Sequence, residues 1–286
     1  MAGRAAAGIG VTNTVRSHDG TTIAYVSKGV GPAVIVIPGV LSMAADYDRF
    51  ACALAARYTV HTIERRGRGE SGPQGDDYSI VRECEDVRAV QRETGARLLV
   101  GNSYGGLVAL EAGRSDRSIT KIAVYEPGVS IDGSMPVDWM PGYEKQLALG
   151  RKVDALVDFT LADAPPPISS IPRWLMKPAM LLVLIRPQYR RMLGLLHQNL
   201  REWREIARLD GSYRDYHDIS AGVLLMYGGK SNSRAVDLVA QRLPSSSPDC
   251  VTRMFAGLDH FGIERTAPQE VAAAVTDYFL GERPQT

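Results

Sequence analysis

The segment 97–110 places the strongest constraint on the fold of this chain. An apolar run, Leu98-Leu99-Val100, leads into the pattern Gly101-Asn102-Ser103-Tyr104-Gly105, and an apolar segment of helical type follows. This order predicts a sharp turn between a buried strand and a helix, with the side chain of Ser103 exposed at the bend. Because such a turn brings the two backbones close together, only small residues fit two positions on either side of the bend. Ser103 would then stand at the start of a helix, where free N–H groups favour negative charge.

Length, charge and cysteine content limit the classes of protein to which this chain can belong. Its 286 residues suffice for one large α/β domain, alone or with an inserted subdomain. The 33 basic residues nearly balance 32 acidic ones, so nucleic acid is not an expected partner. Cys52, Cys84 and Cys250 are too widely spaced for a disulfide framework, which favours reduced thiols. No HExxH or paired CxxC pattern suggests a metal site.

The sequence shows no convincing signal peptide at residues 1–10 and no apolar stretch long enough for a membrane span. The segment 1–10 lacks the apolar stretch and cleavage site of a signal peptide. The longest apolar stretch, 174–185, is interrupted by Lys177 and Pro178 and is too short to cross a bilayer. The expectation is therefore a cytoplasmic protein without a membrane span.

Strand-like and helix-like segments alternate along most of the sequence. The predicted strands are 12–16, 21–27, 33–37, 59–63, 98–101, 119–125, 223–227 and 250–255. The predicted helices are 46–58, 78–93 with a cap at Asp76 or Asp77, one that starts at Tyr104, 235–242 and 268–280. This alternation predicts an α/β fold, with a mostly parallel central sheet that is covered by helices on both faces.

A long interval interrupts this rhythm after the sixth predicted strand. We expect residues 129–219 to form a helical cap, or lid, and residues 1–128 and 220–286 to form the core. Several apolar residues of the interval could line a pocket, although most are expected simply to pack the helices of the cap. These residues are Trp139, Met140, Trp174, Leu175, Met176, Met180 and Leu181.

Four motifs in register resemble those of the α/β-hydrolase family. Besides the Ser103 motif, Pro38-Gly39-Val40 follows the third predicted strand, where family members commonly carry His-Gly-x. The segment 64–72 is similar to the family's Asp-x-Arg-Gly-x-Gly-x-Ser loop, with Glu64 at the Asp position, and is expected to brace the end of the sheet. Asp259-His260-Phe261 follows the last predicted strand. The resemblance covers nearly the whole chain outside the predicted cap, and it implies a serine nucleophile at Ser103.

His260 is the best candidate among five histidines for the base that activates this serine. A serine hydroxyl is unreactive at neutral pH until a base takes its proton, and imidazole titrates near pH ~6.5. Only His260 is predicted in a loop at the carboxyl end of a sheet strand, where open α/β folds place their chemistry. His61 lies inside a strand and is expected to pack in the core.

The acid of the expected triad is displaced from its usual place. Most family members carry Gly-Gly-x-Asp after the penultimate strand, whereas this chain has Gly228-Gly229-Lys230-Ser231. A serine cannot balance the charge of an imidazolium. Glu126 is the predicted acid, since certain haloalkane dehalogenases in the family supply the acid from the corresponding strand end. Without it, Ser103 and His260 would form a dyad.

The resemblance also implies an oxyanion hole and a class of reaction. The expected donors are the backbone N–H groups of Val40 and Tyr104. The first expected function is cofactor-independent hydrolysis of an ester, thioester or lactone with a bulky apolar acyl part. The same site could instead serve C–C bond hydrolysis, acyl transfer, or a cyclisation or elimination on a specialised metabolite. A third alternative, a non-catalytic ligand-binding protein, is suggested by Ser231. All three imply an apolar small-molecule ligand, and they leave its identity and the oligomeric state open.

Overall fold

The computed structural model describes residues 10–164 and 166–281. The described strands are β1 (Val11–Arg16), β2 (Thr22–Lys28), β3 (Ala33–Ile37), β4 (Thr59–Glu64), β5 (Leu98–Asn102), β6 (Lys121–Tyr125), β7 (Gly222–Gly228) and β8 (Cys250–Phe255). The described helices are α1 (Asp48–Leu54), α2 (Ile80–Thr94), α3 (Tyr104–Ser115), α4 (Met140–Ala148), α5 (Lys152–Asp163), α6 (Arg173–Val183), α7 (Pro187–Arg190), α8 (Leu196–Arg208), α9 (Arg234–Ser246) and α10 (Pro268–Leu280). Residues 1–9, which make up most of the segment that lacks a signal peptide pattern, lie outside the described residues.

All eight of these strands form one sheet in the order β1-β2-β4-β3-β5-β6-β7-β8. β2 runs antiparallel to both of its neighbours, and every other adjacent pair is parallel. The prediction of a mostly parallel α/β sheet is therefore confirmed.

Alternate residues of β3 face two separate cores. Ile35 and Ile37 pack in the core that contains the apolar faces of α2 and α3. Val34 and Val36 point to the opposite core, which is built from α1 and α10. A strand that is buried on both faces has no polar side, which explains its continuous apolar run.

The predicted boundaries hold best where buried apolar runs define them. Strands 33–37 and 250–255 and helix 268–280 have the predicted ends. The predicted helix 46–58 is instead a 3₁₀ turn, Ala44–Tyr47, followed by α1, which ends at Leu54. The cap of α2 is also different, because Ser79 holds the extended conformation before the helix while Asp77 accepts a hydrogen bond from Arg82 at 3.0 Å.

The helices α4 to α8 occupy the interval between β6 and β7. They contact loops that follow the carboxyl ends of two strands. Glu202 of α8 pairs with Arg68 at 2.8 Å after β4, and Arg191, in the 3₁₀ turn between α7 and α8, pairs with Asp46 after β3. These helices therefore lie over the carboxyl edge of the sheet, while the cap boundaries of 129 and 219 stay a prediction. Within the described part of the chain, no helix is both long and apolar enough to cross a membrane.

The apolar residues singled out in this interval divide into two groups. Trp139 packs edge-on against Tyr143, Phe159 and Trp203, whose ring centroids lie 5.1–5.3 Å from its own. Met140, Met176 and Met180 are also buried or partly buried. Four of the seven residues therefore pack, as expected of most of them, while the remaining three are exposed. They are Trp174, Leu175 and Leu181.

Candidate active site

Ser103 occupies a strained turn between β5 and α3. Its backbone has φ +52° and ψ −125°, a conformation that residues with a side chain rarely adopt and that is often found at functional sites. Within 101–110, Ser103 is partly exposed and every other residue is buried. The turn thus presents one hydroxyl from an otherwise buried segment.

The two flanking glycines permit this turn. A Cβ on Gly105 would lie 2.1 Å from the carbonyl oxygen of Ile37, and a Cβ on Gly101 would lie 2.3 Å from the carbonyl oxygen of Gly105. Neither contact is tolerable, because both involve backbone atoms that cannot move aside. The close approach expected from the sequence is therefore present.

Glu126 and His260 are in direct contact at the carboxyl edge of the sheet. Glu126 follows β6 with φ +42°, and its side chain is 1% exposed. The imidazole of His260, in the loop after β8, lies with Nδ1 2.8 Å from Oε2 of Glu126. A carboxylate on Nδ1 fixes the ring so that Nε2 is left to exchange a proton.

The serine at the usual acid position also contacts this carboxylate. The Ser231 hydroxyl donates a hydrogen bond to Oε1 of Glu126, and the Gly228 backbone N–H donates to the same oxygen at 2.8 Å. Ser231 therefore holds a displaced carboxylate in place, and its presence is no longer an argument for loss of the acid.

The contact changes the proton affinity of both groups. Burial lowers the pKa of His260, but the hydrogen bond to Glu126 and its negative charge outweigh burial and raise that pKa to about 9. Burial acts to raise the pKa of Glu126, but the hydrogen bond from His260 and its charge hold that pKa below its ordinary value. The pair therefore stabilises an imidazolium, the species that a base forms when it accepts a proton.

Two backbone hydrogen bonds join Ser103 to the end of β6 and to the loop after it, beside Glu126. The Ser103 N–H donates to the carbonyl oxygen of Tyr125 at 3.1 Å, and the Ser103 carbonyl accepts from the N–H of Gly128 at 2.8 Å. Among the described residues, the Ser103 hydroxyl makes no hydrogen bond to His260. Catalytic hydrogen bonds of enzymes without substrate are often long and tighten only in the complex.

The two predicted oxyanion donors flank Ser103. Tyr104 is the first residue of α3, so its N–H precedes the intrahelical hydrogen bonds. The loop that carries Val40 passes directly over the serine, because a Cβ on Gly39 would lie 3.1 Å from Cβ of Ser103. Leu41, the next residue, has φ +52°, which marks the bend of this loop.

A buried carboxylate outside the predicted site, that of Glu264, supports the Gly39 loop. Oε1 of Glu264 accepts from the hydroxyls of Ser42 and Tyr47, both at 2.8 Å. The Tyr47 hydroxyl in turn accepts from the N–H of Gly39 at 3.0 Å and from Nδ2 of Asn102 at 2.8 Å. Glu264 thereby links the loop before Val40 to the residue before Ser103. No motif marks these residues, since only the tertiary fold brings them together.

Arg65 braces the same loop from the other side. Its guanidinium donates to the Gly39 carbonyl at 3.0 Å and lies 4.8 Å from the centre of the Tyr104 ring. Glu83 and Glu202 pair with it at 3.0 and 3.1 Å, so its buried charge is compensated. The segment 64–72 thus braces the end of the sheet, as expected.

The sequence model of the alpha/beta hydrolase family matches residues 34–274. The chain belongs to the alpha/beta hydrolase family. A solved structure of an alpha/beta hydrolase from Sphaerobacter thermophilus DSM 20745 is 29% identical, with a TM-score of 0.79, and the match covers 93% of this chain and 100% of that one. An esterase from Rhodococcus sp. ECU1013 shares the fold at 19% identity and a TM-score of 0.68, over 95% of this chain and 99% of that one.

A curated relative is similar over a shorter segment. An "uncharacterized protein" of Mycobacterium tuberculosis (strain ATCC 25618 / H37Rv) is 30% identical over 102 residues, which are 34% of this chain. The match spans only 29% of the length of that protein.

A cavity of about 520 Å³ separates the inserted helices of this hydrolase from the loop after β8. It is lined by Leu156, Met180 and Leu184 on one side and by Phe261 and Arg265 on the other. The Phe261 ring packs edge-on against the imidazole of His260, with centroids 5.7 Å apart.

A second cavity of about 200 Å³ shares Tyr189, Met192 and Arg265 with the first and reaches Leu41, beside Val40. The first cavity is mainly apolar, whereas the second, which also contacts Asp46, is of mixed polarity and reaches the neighbours of the candidate site. In the residues that the structure describes, no group of three or more His, Cys, Asp or Glu could hold a metal ion.

Proposed function

We propose that this chain is a cofactor-independent serine hydrolase that cleaves an ester, thioester or lactone with a bulky apolar acyl part. Ser103 is the nucleophile, His260 the base and Glu126 the acid of the triad. The observation that carries the proposal is the 2.8 Å contact between Glu126 and Nδ1 of His260, at the sheet edge where Ser103 is partly exposed.

In the first half of the reaction, the Ser103 oxygen attacks the carbonyl carbon while its proton passes to Nε2 of His260. The N–H groups of Val40 and Tyr104 stabilise the resulting oxyanion. When the tetrahedral intermediate collapses, the bond to the leaving alcohol, thiol or ring oxygen breaks, and that atom takes the proton from His260. Glu126 stabilises the imidazolium throughout without becoming protonated itself.

In the second half, water releases the acyl group. Nε2 of His260 accepts a proton from water, and the hydroxide oxygen attacks the acyl carbon. The proton then returns to the oxygen of Ser103, and a carboxylic acid leaves. The apolar walls of the 520 Å³ cavity support an apolar acyl part.

A panel of chromogenic esters of increasing acyl length tests this function. Ser103→Ala and His260→Ala should each lower kcat by about 10⁴–10⁶. Ser245→Ala and His197→Ala, at exposed positions away from the site, are the matched controls and should leave kcat unchanged. Turnover that survives Ser103→Ala would exclude the proposed mechanism.

A further inference from the structure

The outer face of α6 and of the turn that follows it is apolar and exposed. Trp174 is 72% exposed, Leu182 is 69% exposed and Ile185 is 68% exposed. Within α6, Trp174 and Leu182 project about 80° apart at 100° per residue, and Ile185 follows in the turn after the helix. Leu175 and Leu181 extend the same face and are also exposed. Contiguous apolar surface of this kind on a soluble domain marks an interaction site.

The opposite face of this segment is already used for packing. Met176 and Leu184 are buried, and Met180 is partly buried against the core. The segment is therefore apolar all round, although only one side of it is covered by the described chain. A helix with this composition is expected to be covered on both sides.

Charge indicates what covers the outer face. The segment 165–201 contains six Lys or Arg and no Asp or Glu, although the chain as a whole has nearly equal numbers of basic and acidic residues. Arg173 and Lys177 pair with Asp154 at 3.1 and 2.9 Å. Arg186 and Arg190 are exposed, and neither forms an ion pair with a described residue. An apolar face with Trp and Leu, flanked by uncompensated arginines, suits an anionic lipid surface.

A second copy of the chain fits this face less well. A twofold contact through α6 would bring the same basic flanks of two molecules together, with no acidic residue in the segment to compensate them. Anionic headgroups would supply the missing negative charge, and acyl chains would cover the apolar side chains.

The exposed face is continuous with the cavity. Leu182, Val183 and Arg186 are exposed on the surface and also line the 520 Å³ cavity, whose far wall includes Phe261 beside His260. The geometry points to α6 as a docking element for an anionic lipid surface, from which an acyl chain enters the cavity. The entry of the acyl chain rests on the proposed function, whereas the docking itself does not.

Flotation of the intact chain with vesicles tests the docking. The wild type should bind vesicles of phosphatidylcholine with phosphatidylglycerol more tightly than vesicles of phosphatidylcholine alone. The double variant Trp174→Glu/Ile185→Glu should bind the anionic vesicles more than about tenfold less tightly. Arg190→Gln should weaken this binding about fivefold, and added salt should reduce that difference.

The matched control is Val81→Glu, which places the same change on α2 at a position that is 58% exposed. It should bind vesicles like the wild type. Since Trp174 and Ile185 do not line either cavity, the double variant should keep the turnover of a short soluble ester.

Two results would overturn the docking proposal. One is equal vesicle binding by the wild type and the double variant, or no binding by either. The other is a wild-type dimer in sedimentation that the double variant abolishes, since a second copy would then cover the face. Ser103→Ala should still float with anionic vesicles, because docking does not need the nucleophile. A wild-type protein that binds anionic vesicles but hydrolyses no ester would refute the proposed function and leave the docking proposal standing.

Discussion

The sharpest prediction concerns the displaced acid, Glu126. Replacement of Glu126 by Gln keeps the shape of the side chain and the acceptor for Ser231 and Gly228, but it removes the charge beside His260. The amide nitrogen of Gln then faces Nδ1 and can only donate. His260 must therefore accept at Nδ1 and carry its proton on Nε2, which is the wrong tautomer for taking a proton from Ser103.

The expected loss of kcat in Glu126→Gln has two contributions, the lost charge and the wrong tautomer of His260. The rise in the pKa of His260 from 6.5 to about 9 would correspond to roughly 3 kcal/mol of interaction free energy. Because the His260 side chain is 40% exposed, solvent screening reduces this to about 1–2 kcal/mol, or roughly a 5–30-fold effect. The wrong tautomer accounts for the larger share, so we expect kcat to fall by about 10³–10⁴.

The assay is steady-state hydrolysis of a chromogenic ester, with thermal unfolding as a check on the fold. Glu111→Gln, which changes a buried carboxylate on α3, is the matched control and should retain activity. Adding Ser231→Asp to Glu126→Gln places a carboxylate at the position that already contacts residue 126, and we expect it to recover at least about tenfold of the lost rate. A Glu126→Gln enzyme within threefold of the wild type, where ~10³ is expected, would refute this reasoning.

Three further outcomes are expected. In a pH–rate profile, the midpoint of the acid limb of kcat/KM should lie above pH 6.5, because the raised pKa of His260 keeps the base protonated until the pH exceeds that pKa. A midpoint at or below pH 6.5 would contradict this. Glu264→Gln should lower kcat about 10–100-fold with little change in KM, since it weakens the hydrogen bonds that hold the Gly39 loop. An unchanged kcat would show that Glu264 does not position this loop for catalysis. Glu202→Gln should lower the free energy of unfolding by about 3–5 kcal/mol in urea titration, because Arg65 would lose one of its two buried partners; a loss under ~1 kcal/mol would show that the pair contributes little.

Much of the fold was predictable because burial on two faces leaves a strong signal. β3 is apolar at every position and has its predicted bounds, and Pro268 sets the start of α10 where proline is favoured. The segment after β3 was less predictable. α1 ends at Leu54, and the carbonyl groups of Ala55 and Tyr58 beyond it lie so close to Gly29 that a Cβ there would be 2.6 and 2.3 Å from them. No local pattern records this contact.

The candidate site was also predictable only in part. Ser103 and His260 were selected by short motifs, and Glu126 by its place at a strand end together with the missing acid at position 231. Glu264 was not selected, because its partners lie more than 160 residues away in sequence. The exposure of Trp174 was also not predictable, since an apolar helix in a sequence is expected to be buried.

The most direct test of the central claim is covalent labelling by a fluorophosphonate, followed by mass spectrometry of the intact chain and of its peptides. The account predicts a single adduct on Ser103, much slower labelling of His260→Ala, and no adduct on Ser103→Ala. A wild-type protein that stays unlabelled, or an adduct on a different residue, would contradict it.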